Sequence, residues 1–539
     1  MNQSTTDDPS YVPTIRFPKR VVILGSDVTA WMAATMLTHH FGRLGICVTV
    51  CPGDSNHASA FRACATSSAL VGLLQNIGVD EHDMLRACRG TYRLATQFSD
   101  WVHDGRDFWQ PFGTASLRVE NLALFDAWLS ERKAGRLLRP LHSYSPHWTA
   151  SLAGKSPHSF SAPSLFAESG QYGFHLDTDD LAAWFRTTAL KFGAEEISGA
   201  IQKVAPNGRG GMAQVITDGG KAVPGDLFLD CRAISSLSGK GPRKNWTSWH
   251  DCFCGDRAAQ IRMAGRRPVP VFTHLTGLDN GWVRAIPLAE EIDSTYVFAS
   301  DTETDDQAGQ RLRTMTENGV TAGDSLRSDV EFCSIDYGRR TAFWKDNVVF
   351  LGHAACQIDA VASTQLHLIQ TGIELLMELF PDRNIGRATR SEFNRRMTSI
   401  ADEFRDVAQL HHVLTRTKQA RSGRVGRSES AAECRGLGVS DNLQTVLDVY
   451  DACGAVEVRH AESTPVEEIR SLLAGCGRLP ARPSLAVRSI DPGRIQAALR
   501  QMVTTNEALV NDLPLHEELL DWIHTGPFQQ SGKQQTRPA

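Results

Sequence analysis

The sequence predicts an α/β protein with a Rossmann-type strand-helix-strand core, a β-sheet substrate lobe and a mainly helical C-terminal region. Three observations predict it. Residues 20–25, Arg-Val-Val-Ile-Leu-Gly, are an uninterrupted apolar run ending on a turn glycine, the pattern of a strand buried on both faces. Residues 29–39, rich in Ala, Met and Leu, read as a helix, and 46–51 as a second strand; together they close a dinucleotide-binding unit of about thirty residues. From Glu392 onward the pattern turns helical, with 394–415 and 495–510 the clearest amphipathic stretches.

The elements between follow the same logic. Strands are expected at 215–217 and 227–230, separated by the turn at Asp218-Gly-Gly, and a helix at 179–192. Another strand, 348–352, runs into a loop and then a helix, 364–379, that stops before Pro381. These signals divide the chain into a polar lead (1–18), a two-lobed core (19–390), a helical lid region (391–525) and a Gln- and Pro-rich tail (526–539). Within the core, 19–100, 165–260 and 330–385 form the nucleotide lobe, and 101–164 and 261–329 the substrate lobe.

Composition narrows the function. A net charge of −5 over 539 residues offers no overall attraction to nucleic acid or anionic lipid, so small-molecule chemistry is the default. The polar N-terminus lacks the basic and apolar regions of a signal peptide, and no apolar run reaches the roughly 20 residues that span a bilayer. A cytoplasmic protein is expected. The 12 cysteines are scattered, and the tight pair Cys252 and Cys254 has no matching second pair, so no metal site is expected. The basic stretch 416–427 reads as a solvated linker, or as a dock for an acidic carrier protein.

Five segments carry a family resemblance. Gly25-Ser-Asp-Val-Thr-Ala-Trp-Met-Ala-Ala34 resembles the flavin loop of the flavin-dependent tryptophan, phenol and pyrrole halogenases, Gly-Gly-Gly-Thr-Ala-Gly-Trp-Met-Ala-Ala. Tyr172-Gly-Phe-His-Leu-Asp177, Gly225-Asp-Leu-Phe-Leu-Asp-Cys231 and Gly281-Trp-Val-Arg-Ala-Ile-Pro287 resemble further family motifs, the last being Trp-x-Trp-x-Ile-Pro. The box Gly352-His-Ala-Ala-Cys-Gln-Ile-Asp-Ala-Val-Ala-Ser-Thr364 is similar to the family segment beside the isoalloxazine. Order and spacing agree over roughly residues 19–385. The resemblance implies an FAD-dependent monooxygenase/halogenase-like fold.

Departures from those motifs set the functional expectation. In the phosphate turn, Gly25, Asp27 and Ala30 stand at the three glycine positions, and a carboxylate at Asp27 opposes a diphosphate unless it caps the helix instead. Cys51 replaces the acidic ribose ligand, Arg232 enters the loop after Cys231, and His353 stands where relatives carry an aspartate. The resemblance also implies a lysine that carries hypohalous acid, a few residues after a Gly-Glu-Ala-Thr-like strap. Here the strap is Ala63-Cys-Ala-Thr66, the lysine position falls near Val71 or Gly72, and no lysine occurs from Val21 to Arg132. Arg284 replaces the second signature tryptophan, Ala362 a glutamate and Gln365 a small residue.

No bound cofactor is therefore expected, and the chain reads as a non-halogenating cyclase working by acid-base chemistry. It resembles the halogenase-like paralogue of pyoluteorin-type clusters, which implies a polyketide substrate, free or carrier-bound. Arg284, His353 and Asp359 are the candidate catalytic residues, lined by Trp282, Ile286, Pro287, Gln365 and His367. Two alternatives stay open: an FAD-dependent halogenase or monooxygenase with atypical cofactor binding, and a non-catalytic scaffold for a halogenase or carrier protein.

Overall fold

The computed structural model describes residues 17–52, 61–102, 105–136, 139–160, 164–232, 245–265, 267–318, 325–414, 438–457 and 464–525. The expected docking stretch 416–427 and the tail lie outside these residues. The N-terminal unit folds as read: β1 (Arg20–Leu24), α1 (Val28–Phe41) and β2 (Cys47–Cys51). They join a six-stranded sheet, ordered Glu195–Glu196, β2, β1, Leu227–Asp230, Val348–Phe350 and Trp344–Lys345, parallel except for the last strand. Leu24 pairs with Cys51 on one side and Asp230 on the other, so three strands end in register at one edge. The chain leaves β1 toward β2 but leaves Leu227–Asp230 toward Val348–Phe350, and a sheet of this kind opens its ligand crevice at that reversal.

α1 is buried along nearly its whole length, which explains a sequence apolar almost all round. It packs on the sheet, on the helix Thr178–Phe192 and on the helix Gln365–Glu378. Thr35, buried within it, donates to its own Trp31 carbonyl and lies 3.0 Å from Phe185 O of the neighbouring helix. That neighbour starts at Asp177, whose carboxylate accepts from the amides of Asp179 and Asp180.

A second sheet of seven strands runs Glu331–Ser334, Arg257–Ala264, Glu291–Phe298, Gly281–Pro287, Phe272–Leu278, Ala95–Ser99, Phe108–Pro111. A three-stranded sheet, with β3 (Ala63–Ala65) and Thr91–Arg93 on either side of Gly173–Asp177, packs on Gly281–Pro287 and Phe272–Leu278 of the seven-stranded one. The C-terminal helices close over this assembly. Val466–Gly475 packs on Phe108–Pro111, and in His516–Thr525 the ring of His516 accepts from the Tyr92 amide. Among the described residues no helix is long and apolar enough to cross a membrane, and no cysteine is in a disulfide.

Gly352 shows how closely the elements meet. Its φ is +59°, and a Cβ there would lie 2.3 Å from Thr29 Oγ1 at the start of α1. Gly352→Ala combines left-handed backbone strain with that clash, and each is worth roughly 1–3 kcal/mol. We expect a folded but clearly destabilised variant, seen as a lower urea midpoint and a lower Tm; an unchanged midpoint would show that α1 and this loop do not meet as described.

Candidate active site

The crevice at the end of β1 is built from the first turn of α1. Gly25, at φ +134°, lets the chain turn where an added Cβ would meet Cys231 at 3.3 Å. Asp27 is the N-cap: its carboxylate accepts from the Ala30 amide at 3.1 Å and lies 3.3 Å from Thr29 Oγ1. Burial pushes the Asp27 carboxyl above its ordinary range, and His353 opposes the shift. His353 is pushed down by the same burial, with Asp27 opposing. The pair therefore sits closer to neutrality than its residue types suggest. Cys51 ends β2 buried, its thiol pushed up to about 11 by desolvation. Arg232 folds back on Asp230 in a two-point contact at 2.9 and 2.8 Å.

The strap is gripped at both ends. Ala63 O accepts from Arg284 Nη2 at 3.1 Å, and Thr66 O accepts from Arg93 Nη1 at 2.8 Å. Thr66 also pairs with Phe174 through main chain and hydroxyl. Arg284 lies over the Phe61 ring, its Nε is buried without a hydrogen-bond partner, and burial lowers its pKa with Asp293 as the chief opposing charge. Ile286 packs with Ala63, Ala65 and Leu288 beneath the strap, and Pro287 O accepts from Thr91 at 2.7 Å. Trp282 is buried on the same strand with its indole N–H unpartnered.

Arg93 is the residue that sequence reasoning missed. Its guanidinium lies over Phe112, Nη2 is 2.6 Å from Thr96 Oγ1, and Nε is sealed without a partner. Desolvation brings it down to about 10, with Glu468 opposing and Arg284 adding to the shift. Glu468, half-buried on the helix Val466–Gly475, is itself pushed up to about 7 by desolvation, with Arg93 opposing. Arg93 is distant from the strap in sequence, but Gly173–Asp177 pairs with both strands and brings them together.

The other expected site residues serve the loop 352–365. Asp359 caps its short turn through the Val361 amide, accepts from Tyr337 at 2.9 Å and faces His412 Nε2 at 3.3 Å. This contact, against the cost of burial, holds the Asp359 carboxyl low and raises His412 to about 10. Gln365 closes the loop, accepting from Ile358 N at 3.2 Å and donating to Cys356 O at 3.1 Å. His367 packs edge-on against Phe404.

Comparison with known proteins decides the family. A tryptophan halogenase family model matches residues 20–492. The chain belongs to the tryptophan halogenase family. It is 24% identical to tryptophan 6-halogenase SttH of Streptomyces toxytricini, over 93% of this chain and 98% of that protein. Tryptophan 7-halogenase RebH of Lentzea aerocolonigenes is 22% identical over 86% of this chain and 91% of its own length. Among solved structures, BrvH, a flavin-dependent halogenase from Brevundimonas sp. BAL3, superposes with a TM-score of 0.82 at 27% identity, covering 94% of this chain and 99% of that one.

Those relatives overturn three expectations from the sequence: a flavin-independent cyclase, non-redox catalysis and the absence of a cofactor. The physical reason is local. Asp27 is a helix cap whose carboxylate is engaged by the Ala30 amide and whose pKa burial raises, and Arg232 pairs with Asp230, so neither substitution dismantles the turn. The residues fit the nucleotide end of FAD. The first turn of α1 would hold the diphosphate, with Gly25 and Gly352 letting the backbone pack closely against Cys231 and Thr29.

Asp27 still leaves a signature. As pH rises through its raised pKa the carboxyl ionises and repels a diphosphate, so FAD should bind more weakly at higher pH. Asp27→Asn keeps a cap for Ala30 and removes the titration. Flavin fluorescence titrations across pH are expected to show weakening for the wild type and a flatter profile for the variant; equal slopes would remove Asp27 from the site.

Proposed function

We propose that the chain is an FAD-dependent halogenase of an electron-rich aromatic small molecule, with Arg93 as the cation that replaces the family lysine. The observation that carries the reading is a half-buried guanidinium bonded to Thr66 of the strap, lying over an aromatic ring, with its buried Nε–H left unpartnered. Bound reduced FAD would supply, with dioxygen and halide, the oxidised halogen. The names and overall likeness of the relatives support this assignment.

The chain's own residues then have separable tasks. The free Nε–H of Arg93 can donate to the oxygen of hypohalous acid, which polarises the oxygen-halogen bond and orients the halogen toward substrate. Phe112, buried against the guanidinium, holds Arg93 in place through its ring face. Glu468, pushed up to about 7, is suited to holding or taking a proton near neutrality, such as that released when C–H becomes C–halogen. Arg284 is a positioning residue, since the strap carbonyl of Ala63 occupies its Nη2.

Purified protein supplied with a flavin reductase, NADH, FAD, oxygen, bromide and free tryptophan or an indole panel tests the assignment by the mass shift and isotope pattern of product. Arg93→Ala is expected to lose about 100-fold or more in rate, on the scale of a removed transition-state donor, with FAD affinity unchanged. Arg93→Lys should retain more activity than Arg93→Ala. Halogenation that survives Arg93→Ala would overturn the role of this residue, and no halogenated product from any aromatic would overturn the function.

A further inference from the structure

Away from the crevice and the strap, Glu81, His82 and His158 each present one donor atom, and these three atoms lie within 4.8 Å of one another. We propose that they form a site for a divalent transition metal of borderline softness, Zn2+ or Co2+, with a coordination position left to water. Two imidazoles and one carboxylate are a ligand set that such ions take readily. Ligands about 2.0–2.2 Å from zinc stand roughly 3.3–3.6 Å apart in a tetrahedron. A contraction of about 1 Å, within the reach of side-chain rotation, therefore brings the three donors to bonding distance.

The surroundings support a metal over a simple surface contact. His82 Nε2 is sealed from solvent and has no hydrogen-bond partner. His158 Nε2 lies 2.7 Å from Glu81 Oε1, so an imidazole nitrogen already stands beside the carboxylate. The Glu81 carboxylate is oriented by two phenols, Tyr92 donating to Oε1 at 2.9 Å and Tyr172 to Oε2 at 2.7 Å. Asp80 Oδ1 stands 3.7 Å from the other ring nitrogen of His82, where a carboxylate would fix the imidazole tautomer. Trp522 packs edge-on against His82, while Tyr92 and Tyr172 flank His158, so the cluster has apolar walls. Cysteine spacing in the sequence predicted no metal, and this cluster uses none.

A metal here would tie the helix Glu81–Ala87 to the chain at His158, on either side of the strand Thr91–Arg93 that carries the strap-binding arginine. The site is structural in that reading, and it stands or falls independently of halogenation. The test uses untagged full-length protein, stripped with a chelator and titrated with Zn2+ against a chromophoric competitor, with metal content measured after gel filtration. The expected result is one equivalent per chain and a Tm raised by about 2 °C or more when the ion is added.

His82→Gln and His158→Gln should each weaken Zn2+ binding at least 10-fold, while the metal-free variants keep the circular dichroism of metal-free wild type. Should His158→Gln misfold, His82→Gln decides, because that side chain is nearer the surface and accepts no described side-chain bond. Co2+ should give visible d-d absorption that the variants lose. Substoichiometric binding by wild type, or binding of equal strength in His82→Gln, would overturn the site and leave Glu81 and His158 as an ion pair.

Discussion

Two carbonyl groups of the strap, on Ala63 and Thr66, accept from the buried Arg284 and the half-buried Arg93, and the geometry of the candidate active site depends on those two contacts. A hydrogen bond to a charged group is worth about 1.5–3 kcal/mol, and removing one partner leaves the other buried and unsatisfied. The strap therefore holds the two arginines as much as they hold it. Arg284 comes from the seven-stranded sheet and Arg93 from the three-stranded one, so this one segment sets the spacing of the two layers. Burial lowers both cations, Arg284 adding to the shift of Arg93, while Asp293 offsets part of it at Arg284 and Glu468 part of it at Arg93.

The nucleotide crevice follows a different rule: burial changes the meaning of a residue. Asp27 facing a diphosphate looks prohibitive when it is treated as an anion. Capping α1, it accepts from the Ala30 amide, and burial raises its pKa with His353 opposing, so it is a weaker anion than an exposed aspartate. Cys51 and Arg232 make the same point. Each departs from a family motif, and each is absorbed by its immediate neighbours, one buried at a strand end and the other paired with Asp230.

The parts legible in the sequence were those with local signals. An apolar run with a turn glycine gave β1, helical spacing gave α1 and the long C-terminal helices, and the motif Gly281–Pro287 marked the strand beneath the strap. Arg93 was illegible because its partnership with Thr66 runs through an intervening strand, Gly173–Asp177, and because a lysine was sought close to the strap rather than any cation near it in space. The side chains of Asp359 and Gln365 also cap and close the loop 352–365, contacts that residue spacing does not reveal. His158 joins Glu81 and His82 from a segment with no sequence relation to them, which spacing rules cannot reveal.

The most direct measurement is a crystal structure of the chain with FAD. The diphosphate is expected against the first turn of α1, with Asp27 still capping Ala30 and the strap carbonyls still held by Arg284 and Arg93. A diphosphate bound elsewhere, or a strap that leaves Arg93 on cofactor binding, would contradict it.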